Sequence, residues 1–539
     1  MRNAHQVADV RAAESALMAQ LPDGTLMQRA ATGLASACAR LLGQVYGSRV
    51  VILAGTGDNG GDALYAGALL ARRGAAVTAI TTGSRVHQGG VAALLASGGR
   101  LSGPQDGTAA LRGPGGRLSG PTDGADLIDG ADLIDAVTLI DGADIIIDGI
   151  LGIGGRGGLR EPAAALAARA ASARALVVAV DLPSGIDADT GEVAGAAVRA
   201  DVTVTFGTWK PGLLIDPGAT HAGTAELIDI GLAGYLAPAS AAALQNADVA
   251  ALLPRPTAES DKYRRGVLGI LAGSSRFTGA AYLAVGGAVR GGAGMIRLVT
   301  AEQAAAVVRQ HWPEAVLTVV GEEIPAARAI QQAGRVQAWV AGPGFGTEPA
   351  SAMLLAEVLS SDLPVLVDAD GITLLAEHRE LLPRAAPTLI TPHAGELARL
   401  LGTDRDAVEA RRLEHARKAA DALGVTVLLK GSTTVIATAS GSPPVRVNAT
   451  GTSWLATAGS GDVLSGLAGA LLAQGLAPPD AAAVAAYLHG MAGRLAATGA
   501  AHGSAADAGR PVSEGAPIGA ADLIDALPAA IRMAAAGAC

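Results

Sequence analysis

The chain has 539 residues, too many for one ordinary domain, so two or more are expected. Half of the residues are apolar but only 2% are aromatic, so the cores must be built from Val, Leu, Ile and Ala; with 73 glycines this suits helices packed on parallel sheet with Gly-rich connections. A net charge of −9 argues against free nucleic acid as a partner, and two cysteines, Cys38 and Cys539, argue against a disulfide framework or a cysteine metal cluster and fit a reducing, cytoplasmic setting.

Residues 1–20 carry Arg2, Asp9, Arg11 and Glu14 through what would have to be the apolar heart of a signal peptide, so none is expected. The longest apolar stretches, such as 463–477, are short or interrupted, so no membrane helix is expected either. Residues 1–45 read as two amphipathic helices broken at Pro22-Asp23-Gly24. A β-branched run at 49–54 then meets Gly55-Thr56-Gly57-Asp58-Asn59-Gly60-Gly61-Asp62 and the helical pattern of 63–74. Strand, Gly-rich loop and helix in succession open a dinucleotide-fold unit. Asp58, Asn59 and Asp62 either bind a cation or polar ligand or stand in a solvated turn. A second strand is expected at 76–80. Residues 97–144 hold duplicated Arg-Leu-Ser-Gly-Pro and recurring Asp-Gly-Ala-Asp, and read as a low-complexity surface insertion.

Regular structure resumes at 145–152, where Asp148 closes a strand and Gly152 to Gly158 follow as a donor-rich loop containing Arg156. The strand at 175–180 ends in Asp181-Leu182-Pro183-Ser184. Neighbouring parallel strands bring their ends together, so Asp58, Asp62, Asp148 and Asp181 converge on one edge. Another strand is expected at 201–206.

These residues resemble a known family. V-V-I-L-A-G-T-G-D-N-G-G-D, D-G-I-L-G-I-G-G-R-G-G and V-D-L-P-S-G-I-D-A-D-T-G look like the epimerase domain of bifunctional NAD(P)H-hydrate repair enzymes, over about residues 1–235. The resemblance implies interconversion of the R and S forms of hydrated NADH or NADPH on a Rossmann-like three-layer sandwich. By motif position, Asp58, Asn59, Gly60, Gly61 and Asp62, with Gly152, Ile153, Gly154, Gly155, Arg156, Gly157 and Gly158, would bind the hydrate. Asp181 would touch it and do acid/base work at C6, and Asn59, Asp148 and Ser184 would hold a potassium ion. The family commonly has Asn-Asn-Gly-Gly-Asp-Gly; here Asp58 comes first and Ala63 last, and Asp58 adds charge beside a phosphate-bearing ligand.

Residues 236–258 read as a linker with a short helix, separating a first domain at 1–235 from a second at 259–539. Strands are expected at 267–271, 338–341, 364–367, 388–390 and 425–429, each ending in a glycine-rich or polar segment: Gly342-Pro343-Gly344, Asp368-Ala369-Asp370, Thr391-Pro392-His393-Ala394-Gly395-Glu396 and Lys430-Gly431-Ser432-Thr433-Thr434 among them. Downstream, Thr457-Ala458-Gly459-Ser460-Gly461-Asp462 feeds an apolar helix, a place where backbone N–H groups can hold an anion beside one carboxylate. Residues 498–520 read as loop and 518–533 as a closing helix.

Together G-P-G-F-G, V-D-A-D-G, T-P-H-A-G-E, K-G-S-T-T and A-G-S-G-D resemble the ribokinase-like fold, and more narrowly the ADP-dependent NAD(P)H-hydrate dehydratases, over about 260–527. The resemblance implies that Ala280, Gly344, His393 and Asp462 contact the hydrate. Lys430, Gly431, Ser432, Thr433, Thr434 and Gly461 would bind the adenine nucleotide. Asp462 would take the C6 hydroxyl proton while the 459–461 amides stabilise the transferring phosphoryl group and Mg²⁺ bridges phosphates, with Glu396 helping to place the metal. Expected partners are hydrated NADH or NADPH and ADP, in a homo-oligomer, with neither nucleic acid nor membrane. A ribokinase-like small-molecule kinase that keeps its phosphate on the product, with an N-terminal half that only binds ligand, is the competing reading.

Overall fold

The computed structural model describes residues 1–83, 85–102, 130–321, 325–439, 444–499 and 515–536, the side chains of 130–134 excepted. Its contacts divide the chain into two units, Asn3–Ser240 and Met1–Arg2 with Ala241–Cys539.

In the first unit seven strands run parallel in the order Arg100–Ser102, Ala76–Thr81, Arg49–Ala54, Ile145–Gly149, Leu176–Val180, Val202–Phe206, Thr224–Ile228. The central strands are apolar at both parities, and each parity has its own cover. Val50, Ile52 and Ala54 pack with Leu34 and Leu64 on one face; Val51 and Leu53 pack with Ile140 and Leu166 on the other. A sheet covered on both faces is the three-layer sandwich expected. The order reverses between Arg49–Ala54 and Ile145–Gly149, and ligands of open α/β sheets bind at such a switch point. The two loops leaving it touch backbone to backbone: a Cβ on Gly55 would overlap the carbonyl of Ile150.

The reading of 97–144 as one insertion is too wide. Arg100–Ser102 pairs in parallel with Ala76–Thr81, and Gly130–Asp141 is a helix that buries Ala136 and Ile140 one turn apart. Its Asp and Gly content hid an i, i+4 apolar stripe. The repeats between 103 and 129 lie outside the described residues.

In the second unit, Val316–Val319, Met295–Thr300, Val267–Leu271, Ala338–Ala341, Val365–Val367, Thr388–Ile390 and Thr426–Leu429 form a parallel run. Thr434–Ala437 and Val445–Asn448 extend it in antiparallel fashion, and Ala241–Ala243 lies parallel to Val445–Asn448. The strand Ala241–Ala243 and the helix Asn246–Leu252, closed by a capping box between Gln245 and Asp248, correct the linker reading: from Ala241 the chain belongs to the second unit. Of the 498–520 stretch, 500–514 lies outside the described residues, and the closing helix is Ala520–Ala536.

Helix Ser460–Ala473 runs through the middle of the core, buried continuously from Val463 to Ala473. It lies against Thr278–Arg290 with almost no side chain between them. A Cβ on Gly466 would overlap the carbonyl of Ala284, and one on Gly287 the carbonyl of Val463. Few aromatics and many small residues permit this close helix contact. Among the described residues no helix is long and apolar enough to cross a membrane.

Candidate functional site

Each unit gathers ionisable groups at the carboxyl ends of its strands. In the first unit the segment 58–62 is not a loop, as the sequence suggests, but the first turn of helix Asp58–Arg72 behind the N-cap Gly57. Helix starts leave N–H groups free, so the turn remains a donor surface. Asp58 is exposed, Asn59 is buried, and Ala63 is fully buried against Gly149. A residue larger than alanine at 63 would press on that strand. In the second loop Arg156 is exposed and Ile153 packs against the buried cluster of Leu182, Ile186 and Leu213.

Asp148 is wholly buried. Its Oδ1 accepts from Ser184 Oγ at 2.6 Å and from Ile150 N at 3.2 Å, and its Oδ2 from Ser184 N at 2.8 Å. Ser184 Oγ is also 3.1 Å from the Leu151 carbonyl, which accepts from Asn59 Nδ2 at 3.1 Å. Asn59, Asp148 and Ser184 are thus brought together as expected. Burial pushes the Asp148 carboxyl up to about 6, although its hydrogen bonds pull the other way.

Asp181 has φ 64, and only Ala369 shares a positive φ with it among the described non-glycine residues. Such strain at a strand end is a mark of function. The turn aims the carboxylate at the neighbouring strand, where Oδ1 accepts from Thr205 Oγ1 at 3.0 Å, Phe206 N at 3.2 Å and Lys210 Nζ. Lys210 is 1% exposed and also donates to Thr205 Oγ1 and the Phe206 carbonyl, both at 3.0 Å. Nothing in the sequence motifs singles out Lys210. Its one sequence signal is that it stands four residues past Phe206, the end of the strand beside that of Asp181. Asp62 and Glu14 complete the cluster. Burial raises both, and the Asp181 and Asp58 carboxylates add to it.

In the second unit the turn at 457–462 opens helix Ser460–Ala473 behind Gly459, whose φ of 86 suits glycine. Ser460 N turns back to the Thr457 carbonyl at 3.4 Å and Asp462 N to that of Gly459 at 3.1 Å, while Gly461 N has no backbone acceptor among the described residues. A Cβ on Gly461 would lie 3.3 Å from Lys430 Nζ and 3.9 Å from Asp368 Oδ2. Lys430 Nζ donates to Asp368 Oδ1 at 2.8 Å, and Asp368 Oδ2 accepts from Ser465 Oγ at 2.6 Å. Burial opposes the Lys430 ammonium, but Asp368, Glu396 and Asp462 outweigh it and its pKa rises. Asp462 is pushed up to about 7, first by burial and then by Asp368, with Lys430 opposing. That value suits a group that takes a proton near neutral pH.

His393 caps helix Ala394–Leu401. Its Nδ1 accepts from Gly395 N at 3.0 Å and Glu396 N at 3.2 Å, so the proton sits on Nε2, and burial lowers its pKa. Glu396 Oε2 is occupied by His393 N at 2.8 Å, so this carboxylate is a helix cap before it is anything else. Gly344 has φ 58 and lies against Ala280 and Phe277. Gly431 and Ser432 are exposed and Thr433 is buried; a Cβ on Gly431 would overlap Arg412, which donates to the Lys430 carbonyl at 2.8 Å. Asp368, Asp370 and Ser465 around Asp462 were seen as strand-end or helix residues in the sequence, but not as its partners.

The family model described as NAD(P)H-hydrate dehydratase matches residues 268–509, and that of the YjeF-related protein N-terminus matches 23–212. The bifunctional NAD(P)H-hydrate repair enzyme of Mycobacterium tuberculosis (strain H37Rv) is 47% identical over 489 residues, 90% of this chain and 92% of the relative. The chain belongs to the bifunctional NAD(P)H-hydrate repair enzyme family. The Mycobacterium leprae member is 46% identical over 92% of this chain and 94% of its own length, and that of Moorella thermoacetica 34% over 88% and 89%. A solved Bacillus subtilis ADP/ATP-dependent NAD(P)H-hydrate dehydratase, co-crystallised with ATP and Mg²⁺, is 31% identical over 54% of this chain and 97% of its own, with a TM-score of 0.46. The two family models fall one on each of the units described above, and apart from Glu14 the residues of each ionisable cluster lie within a matched segment.

Proposed function

We propose that the chain repairs hydrated NADH and NADPH, its first unit epimerising the R and S hydrates and its second dehydrating the S hydrate with a nucleotide as phosphoryl donor. The observation that carries this reading is Asp462, a carboxylate pushed up to about 7 in the first turn of a buried helix, with Lys430 and Asp368 behind it. The hydrate bears its hydroxyl on C6, next to the ring nitrogen. Hydroxide leaves poorly and phosphate well, so phosphorylating that hydroxyl lets the nitrogen lone pair restore the dihydropyridine. The bound nucleotide supplies the phosphoryl group, ADP becoming AMP. Asp462 takes the hydroxyl proton, the Gly461 amide and Lys430 offset charge on the phosphoryl oxygens, and His393 Nε2–H, Ala280 and Gly344 position the hydrate. The segment 430–434 holds the adenine nucleotide.

Among the described residues no three His, Cys, Asp or Glu side chains converge as a ready metal cage. That fits Mg²⁺ arriving on phosphate oxygens and using one or two carboxylates, Asp462 and Asp368 being the nearest and Glu396 serving only through water. For potassium the donor set fits better. Asp148, Ser184 Oγ and the Leu151 carbonyl offer oxygen at close spacing, with Asn59 Nδ2 donating to that carbonyl, around a buried carboxylate whose partners are all neutral. A bound potassium ion would supply the missing countercharge and tie the 58–62 turn to the 150–158 loop. Asp181, paired with Lys210, acts at C6 of the hydrate. We place the reaction in the cytoplasm, which a buried free Cys38 suits.

The test mixes full-length protein with racemic NADH hydrate, Mg²⁺, K⁺ and either ADP or ATP, and follows recovery of reduced-nicotinamide absorbance. Full recovery is expected. Recovery that halts near half removes the epimerase, and none with either nucleotide rejects the proposal. Phosphate retained on an unrestored product would favour the kinase reading.

A further inference from the structure

We propose that Asp62 is the proton donor of the epimerase site, working opposite the Asp181 carboxylate; this rests on the epimerase reading above. Motif position makes Asp62 one of several residues binding the hydrate. Its surroundings give it a narrower task. Oδ1 of Asp62 is sealed from solvent and has no hydrogen-bond partner among the described residues. A buried carboxylate oxygen without a donor costs about 1–3 kcal/mol, more when charged, whereas a protonated carboxyl needs an acceptor instead.

The neighbouring charges are of one sign. Asp181, Asp58 and Glu14 act on Asp62, and Glu14 stands on helix Val7–Met18 with Lys210 and Arg11 acting on it in turn. The lysine is committed to Asp181, Thr205 and the Phe206 carbonyl. Arg11 reaches toward Gly154, and the His87 ring, which would lie 2.9 Å from a Cβ on Gly61, accepts from Gly90 N through Nδ1. Burial first, and these carboxylates next, hold Asp62 well above the usual carboxylate range. Two carboxyl groups share the site; one has a lysine and the other only like charges. Environments that differ in this way separate an acid from a base.

The chemistry balances on these two groups. Asp62 gives its proton to the C6 hydroxyl, the C6–O bond breaks, and the ring nitrogen lone pair forms an N1=C6 iminium, releasing water. Water adds to the opposite face of C6 and loses its proton to Asp181, while the N1=C6 electrons return to nitrogen. The net change is inversion at C6 with one proton moved from Asp62 to Asp181. Reverse turnover or exchange with solvent resets the pair.

The experiment uses full-length protein with purified R hydrate of NADH and no nucleotide, and measures appearance of the S hydrate from pH 5 to 9 (limits approximate) for wild type, Asp62→Asn and Glu14→Gln. Wild-type kcat should fall as pH rises through the raised Asp62 value. Asp62→Asn should lose on the order of 10²–10⁴-fold in kcat, with little change in KM and no alkaline fall in what remains. Glu14→Gln should keep the alkaline limb. Wild-type hydrogen-exchange protection of Arg49–Ala54 and Leu176–Val180 in Asp62→Asn reports that the first unit is folded. An Asp62→Asn variant within about threefold of wild-type kcat, one altered in KM alone, or one that keeps the alkaline limb overturns the proposal. So does loss of that limb in Glu14→Gln. Wild type that makes no S hydrate overturns the epimerase reading itself.

Discussion

Lys430 Nζ lies 2.8 Å from Asp368 Oδ1, and the pair stands directly behind the turn that carries Asp462. Ser465 holds the other oxygen of Asp368, so the carboxylate is fixed from both sides. Asp462 therefore ionises against a neighbouring negative charge and is held at about 7 by burial and by Asp368. Dehydratase kcat/KM should rise with pH through that value, because the carboxylate is the active form. Asp368→Asn removes the repelling charge and leaves Lys430 nearer to Asp462 in effect, so the rise should move to lower pH while the plateau falls. A profile in Asp368→Asn that rises at the wild-type pH would separate Asp368 from the proton transfer.

Lys210 and Asp181 form a buried pair, and breaking such a pair costs about 3–5 kcal/mol because one charge is left without its partner. Lys210→Met should abolish epimerisation and speed hydrogen exchange in Leu176–Val180 and Val202–Phe206, the strands that hold the pair. Asp181→Asn combined with Lys210→Met should restore exchange protection and leave epimerisation absent. Restored protection together with restored activity would reduce the pair to a structural role.

Gly344 has φ 58, and a Cβ there would lie 2.6 Å from that of Ala280 and 2.8 Å from that of Phe277. Gly344→Ala adds a left-handed penalty of about 1–2 kcal/mol and pushes the loop away from the start of helix Thr278–Arg290. Dehydratase kcat/KM should fall roughly tenfold or more, through KM for the hydrate rather than for the nucleotide. A rise in the nucleotide KM alone would move Gly344 to the other side of the site.

The parallel α/β plan was legible because the strands are apolar runs, as at Arg49–Ala54 and Val267–Leu271, with glycine within two residues of their ends. Strands without that punctuation escaped notice. Met295–Thr300 carries Arg297 and ends without a Gly-rich loop; Arg100–Ser102 and Thr224–Ile228 are edges with half-polar composition. Many motif residues were legible because they stand at or just past the end of a strand, as Asp148, Asp181, Asp368 and Lys430 do. Lys210, Ser465 and Glu14 were not, because their importance lies in what they face across the sheet or helix. Asp181 and Lys210 are 29 residues apart, and Asp368 and Ser465 are separated by 97. The helical starts at Asp58 and Ser460 were read as loops because glycine weakens a helix on average, whereas here close backbone approach selects it.

Asp148 connects pH, potassium and stability in one measurement. Its carboxyl is raised from 3.8 to about 6 in the folded chain. The folded state thus binds a proton that the unfolded state has released between those values. Its contribution to stability is fully present below the unfolded value and is lost as pH rises through about 6, a cost on the order of 3 kcal/mol once the buried group is ionised. A potassium ion bound among Asp148, Ser184, Asn59 and the Leu151 carbonyl offsets that cost only when the carboxylate is charged. Replacing tetramethylammonium with potassium at equal ionic strength should therefore raise the melting temperature of the first unit by several degrees at about pH 8 and hardly at about pH 5. Asp148→Asn should melt independently of the cation at both values. An equal shift at both pH values would mean that potassium acts elsewhere, and no shift at the higher pH would remove the cation from this cluster.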